Sequence, residues 1–132
     1  MSSTNSLPSY GLGLLRIVAG YTFLLHGSAK LLGLPHVAMF DGLSIFSMIG
    51  IAGILELVGG ILLVLGLFSR VVAFILSGEM AFAYFIGHAS ASTFLLPLLN
   101  GGEAAVLFCF IYLYIAVAGS GAWALDNLRN KQ

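Results

Sequence analysis

Ile51-Ala-Gly-Ile-Leu-Glu-Leu-Val-Gly-Gly-Ile61 sets one carboxylate, Glu56, inside a long run that otherwise holds only apolar and small side chains. Gly53 stands three residues before Glu56, and Gly59 and Gly60 stand three and four after it. On a helix of 3.6 residues per turn these positions share a face. Glycines mark where neighbouring helix backbones approach closely, so the acid points at another helix. A carboxylate in hydrocarbon costs about 2.5–3.5 kcal/mol at mid-helix on insertion scales, which predicts that it is paired, protonated or wet.

Composition sets the wider frame. The chain has 132 residues, 60% hydrophobic and only 8% charged, with a mean hydropathy of +1.08. Soluble domains carry about a quarter charged residues, so this is membrane composition. Net charge is zero and no basic block occurs, which argues against nucleic acid as a partner. Cys109 is the single cysteine, so no internal disulfide or CxxC couple can form. That also excludes a cysteine-based quinone reductase of the four-helix membrane type.

Four apolar segments approach the length of about 20 residues that a bilayer core requires. They run over 11–33, 46–68, 71–88 and 103–123, and Pro35 stops the first. Ser69-Arg70 leaves little chain between the second and third, predicting a tight antiparallel hairpin. The expected fold is all-α, an integral membrane four-helix bundle forming one domain over residues 1–132. The segment after Met1-Ser-Ser-Thr-Asn-Ser-Leu-Pro8 is too long for a signal-peptide core and lacks a basic flank, so it reads as a retained span. Arg16, Arg70, Arg129 and Lys131 fall on one side and Lys30 alone on the other, which predicts both termini in the cytoplasm. Gly13, Gly20 and Gly27, seven apart, predict a continuous groove for a partner helix on the first span.

Depths counted along the spans at about 1.5 Å per residue bring His26, Lys30 and Glu56 together toward the outer side, with His88 and Glu103 at its boundary. Arg16 and Glu79 are expected as an inner ion pair. Each residue also has a purely structural reading. The Lys30–Glu56 pair could simply fix helix register. Asn100-Gly-Gly-Glu103 resembles a capping box, with Asn100 as the N-cap. Tyr84, four before His88, could support that imidazole. Glu-x-x-His, as di-iron bundles need, is missing, because Gly59, Phe82 and Val106 stand three after Glu56, Glu79 and Glu103. No metal, haem or nucleotide site is expected.

Phe23-Leu-Leu-His26-Gly27-Ser-Ala-Lys30, Leu55-Glu56-Leu-Val-Gly-Gly60, Leu67-Phe-Ser-Arg70, Ala83-Tyr-Phe-Ile-Gly-His88 and Leu99-Asn-Gly-Gly-Glu103-Ala occur in this order, and the chain resembles the DoxX family over about residues 11–126. One departure is Gly119-Ser-Gly121 followed by Ala124-Leu-Asp126, where the family usually has Gly-Pro-Gly and Ser-Leu-Asp. The resemblance implies a small multi-pass protein of the bacterial or archaeal inner membrane, akin to the membrane subunit of thiosulfate:quinone oxidoreductase. Some relatives are similar to anchors that gather a soluble sulfurtransferase and superoxide dismutase.

The leading expectation is therefore a quinone-linked redox subunit, with a small sulfur compound as the candidate reductant. In it His26 and Lys30 donate to a quinone carbonyl and Glu56 trades protons. His88, Glu103, Asn100 and Tyr84 line the outer mouth. The alternatives are a non-catalytic anchor that recruits soluble redox enzymes, and a small-solute carrier, which four short helices could build only as a homo-oligomer.

Overall fold

The computed structural model describes residues 5–130. The expectations for Met1–Thr4 and for Lys131 lie outside the described residues. The described chain is mostly helical, with no strand among the described residues. Helix α1 covers Leu7–Leu32, begun by Ser6, whose side chain accepts from Ser9 N, and ended by Gly33 at φ 67°. A loop with one 3₁₀ turn, Ala38–Phe40, leads to α2, Met48–Leu65. Helix α3, Ser69–Ala83, is prolonged by a π-helical turn at Tyr84–His88. A short helix α4 (Pro97–Asn100) precedes α5 (Glu103–Ala118), and α6 (Leu125–Arg129) follows.

Leu7–Leu32, Met48–Leu65 and Ser69–His88 are each long and apolar enough to cross a membrane. At 16 residues α5 is shorter, about 24 Å at 1.5 Å per residue. The expected run to Trp123 does not form. Gly119 turns out of the helix at φ 100°, and residues 119–124 continue as irregular chain. The capping box is also absent. Gly102 rather than Asn100 precedes α5, and the Asn100 carbonyl oxygen Oδ1 accepts from Gly102 N at 2.8 Å.

The helices pack chiefly as two pairs, α1 with α2 and α3 with α5, while α2 and α3 touch less extensively. The first pair is close because glycines meet. A Cβ on Gly60 would lie 2.7 Å from Gly20 O, and one on Gly20 would lie 2.8 Å from Leu63 Cβ. Neither site has room for a side chain, so the backbones themselves are in contact. The second pair is tied by Ser77 Oγ, which donates to Cys109 O at 2.7 Å. Tyr112 joins the pairs, donating from α5 to Ala19 O on α1 at 2.9 Å. Its ring packs edge-on to Phe23 at 4.7 Å between centroids.

Polarity runs the opposite way to that of a soluble protein. Arg16 is 0% and Glu56 3% exposed, whereas Phe74 is 66% and Phe110 63% exposed. Ionisable groups lie inside and large apolar ones outside, as a lipid solvent demands.

Candidate functional site

Two cations on α1, Arg16 and Lys30, face α2, and their settings differ. Arg16 uses its donors on backbone carbonyls alone. Nε donates to Ser120 O at 2.7 Å, Nη1 to Leu63 O and to Val64 O at 3.0 Å, and Nη2 to Ala122 O at 2.8 Å and Trp123 O at 3.1 Å. A guanidinium has five N–H groups, so this set leaves none free. The expected Arg16–Glu79 pair is therefore not formed. Arg16 binds the α2 terminus to the irregular segment after α5, and Asp126 is the acid in its electrostatic neighbourhood. Asp126 itself accepts from Phe68 N at 2.8 Å and Ser69 N at 2.9 Å, capping α3 from a distant part of the chain. In the sequence Asp126 stands out only as the end of Ala124-Leu-Asp126, and nothing there marks this capping role.

Toward the other end, Lys30 Nζ bonds both oxygens of Glu56, at 2.8 Å and 2.7 Å. The pair is almost wholly enclosed, with side-chain exposures of 11% and 4%. Gly53 makes the approach possible, since a Cβ there would sit 3.0 Å from Lys30 Cβ. Phe40 closes over the ammonium at 5.6 Å, a cation–π contact from the loop after α1.

Glu79 joins this cluster instead of the Arg16 end. It faces Glu56 and Lys30, and both its carboxyl oxygens are buried without a hydrogen-bond partner among the described residues. The hairpin explains the meeting. Glu56 and Glu79 stand at equal sequence distances from the Leu67–Phe68 turn, so antiparallel α2 and α3 bring them to the same level. That symmetry is visible in the sequence.

His26, Lys30, Glu56, Glu79 and His88 all line one cavity of about 990 Å³ between the two helix pairs. The rest of its wall is almost entirely apolar, including Phe23, Leu55, Ile75, Phe82 and Phe108. Phe82 and Ile86 are 54% and 62% exposed, so the cavity is a cleft with an oily rim. His26 is exposed, its ring lies tilted beside Phe23 at 6.1 Å, and its side chain makes no hydrogen bond among the described residues. His88 Nδ1 lies 3.3 Å from Asn100 O at the edge of the cleft.

Three expected lining residues stand elsewhere. Tyr84 is buried and donates to Phe94 O at 2.6 Å, and Asn100 Nδ2 donates to Tyr84 Oη and Thr93 O, both at 3.0 Å. The two thus brace the loop before α5 and do not line the cleft. Glu103 is exposed at the α5 start and is also off its wall. No group of three or more His, Cys, Asp or Glu side chains is set to hold a metal among the described residues.

Comparison with known proteins agrees with these motifs. The DoxX family model matches residues 11–89, which include α1 from Gly11 onward, α2, α3 and every polar residue of the cleft wall. An uncharacterized protein of Haemophilus influenzae is 47% identical over 130 residues, covering 96% of each chain. A Bacillus subtilis protein named "Putative oxidoreductase CatD" is 32% identical over 116 residues, 86% of this chain and 82% of its own. No solved structure matches the chain. The family match and the inside-out burial converge: the chain belongs to the DoxX family and is a membrane protein.

Proposed function

We propose that this protein is the membrane subunit of a quinone-linked redox system, and that the cleft between the helix pairs receives a quinone head group. The observation that carries this reading is the meeting of Lys30–Glu56, Glu79 and His26 on one otherwise apolar cavity of about 990 Å³. A quinone needs an oily channel for its tail and hydrogen-bond donors for its carbonyls. The exposed apolar rim suits the tail. Lys30 spends two N–H groups on Glu56 and keeps a third for a carbonyl oxygen, and the His26 imidazole has its ring nitrogens available. The orphaned buried oxygens of Glu79 are polar atoms in want of a proton or a partner. The residues present therefore fit such a group.

A bound quinone would supply the electron acceptor, and its reduction consumes protons. The chain's own share is to orient the ring through Lys30 and His26, exclude water with the Phe23–Phe108 wall, and hold protons nearby. Electrons come from a partner or from a substrate, for which a small sulfur compound is the proposal. In this reading α5 crosses as a fourth span, both termini lie in the cytoplasm, and the cleft opens outward from a prokaryotic inner membrane. The oxidoreductase name of the Bacillus subtilis relative supports the reaction class.

A second reading is favoured by one observation, that Lys30 Nζ bonds both oxygens of Glu56. As a register pin they would serve a non-catalytic anchor for soluble redox enzymes. Organic extraction of protein purified from native membranes separates the two. The redox reading expects quinone in near-stoichiometric amount, lost with Lys30→Met. Protein free of quinone that takes up none on addition would leave the anchor.

A further inference from the structure

Charge can be counted across the contact where α1, α2 and α3 meet. Lys30 supplies one positive charge, and Glu56 and Glu79 are both carboxyls within its reach. Glu56 takes both Lys30 contacts, so it is the member held as carboxylate. Glu79 then has no cation of its own. Its two oxygens are enclosed and unbonded among the described residues, and most of the wall it shares is apolar. An ionised carboxylate in such a place is among the costliest arrangements a protein can hold, and the usual escape is to keep a proton. The groups facing it are Glu56 from α2, Lys30 with its neighbour His26 from α1, and Tyr112 from α5, whose hydroxyl is committed to Ala19 O.

We propose that Lys30, Glu56 and Glu79 form a charge-neutral triad in which Glu79 is the proton-carrying acid, a proton store set behind the ion pair on the cleft wall. The acid donates toward the Glu56 carboxylate, and the ammonium balances that carboxylate from the other side. The stored proton serves the cleft chemistry proposed above and rests on that reading for its use. The charge count itself needs only the three side chains. The triad also assigns different parts to two acids in similar apolar settings. Glu56 orders the ammonium, and Glu79 releases or regains the proton when the charge of the cleft changes.

Counting charges makes the test specific. Infrared spectra of the full chain in quinone-free bilayers at neutral pH should show the carbonyl stretch of a protonated carboxylic acid. The remaining acids, Asp41, Glu103 and Asp126, are exposed or accept backbone N–H groups, so they stay silent there. Glu79→Gln should abolish the band. Glu56→Gln should abolish it too, because Glu79 then becomes the sole partner of Lys30 and ionises. Lys30→Met should enlarge the band, since two carboxyls without a cation both take protons. A wild-type spectrum without the band overturns the triad. So does a band that survives Glu79→Gln or Glu56→Gln, the latter showing an acid that is merely buried. Because no quinone is present, failure here is separate from failure of the quinone extraction, and either can occur without the other.

Discussion

Arg16 and Lys30 lie on one helix and reach the same neighbour, yet they end in opposite conditions. Arg16 is walled in by five carbonyl contacts that join the end of α2 to the chain after α5. Lys30 meets a carboxylate, with a second carboxyl and an open cleft beside it. Carbonyl dipoles belong to the backbone and cannot change charge, so the Arg16 end can only hold the fold. Carboxyls and imidazoles can exchange protons, so the Lys30 end can respond to what enters. The difference between a buried cation that builds and one that works lies in its partners.

The comparison breaks most severely at Arg16. Arg16→Met strands acceptors at about 1–3 kcal/mol apiece, enough together to consume a typical folding margin of about 5–15 kcal/mol. The expected outcome is no monodisperse protein on gel filtration. Arg16→Lys should fare little better, because an ammonium cannot span carbonyls spread over two chain segments. Recovery of well-folded Arg16→Met would remove the static half of the contrast.

At the other end, Lys30→Met should cost about 3 kcal/mol by leaving Glu56 without its ion. Adding Glu56→Leu should restore most of the thermal midpoint, since two apolar groups suit this site. A double variant as unstable as the single would mean that Glu56 carries structural weight beyond its contact with Lys30. Gly60→Ala comes next, at about 1–3 kcal/mol, from forcing a methyl against Gly20 O. It should lower the midpoint equally with and without the Lys30 substitution. The smallest effect belongs to Glu79→Gln, which keeps shape and neutrality and should change stability by less than about 1 kcal/mol.

What the sequence revealed followed from helical period. Gly53, Glu56 and Gly60 share a face by spacing alone, and so do Gly20 and Gly27, which made the α1–α2 contact and the Lys30–Glu56 meeting readable. The Arg16 cage was not readable. Its acceptors are main-chain oxygens of Leu63, Val64, Ser120, Ala122 and Trp123, and no side-chain pattern marks a carbonyl as exposed. The same blindness extended α5 to Trp123, because Gly119-Ser-Gly-Ala is apolar enough to continue a span while its backbone leaves the helix. Glu79 was assigned to the wrong cation because it was set deeper on the third span, whereas the hairpin at Leu67–Phe68 brings it level with Glu56. Tyr84 and Asn100 were read as site residues for their chemistry, and their donors turn out to close a loop.

The cleft itself offers the most direct test. Gly78 lines it, and a Cβ there would meet no atom within 4 Å, so Gly78→Phe is the substitution to plug the cleft from an open position. Thermal unfolding in bilayers with rising amounts of a short-tailed quinone should raise the wild-type midpoint, as any ligand of the native state must. Gly78→Phe should fold normally and show no rise. A wild-type midpoint indifferent to quinone, or an equal rise in the plugged variant, would contradict the assignment of this cleft.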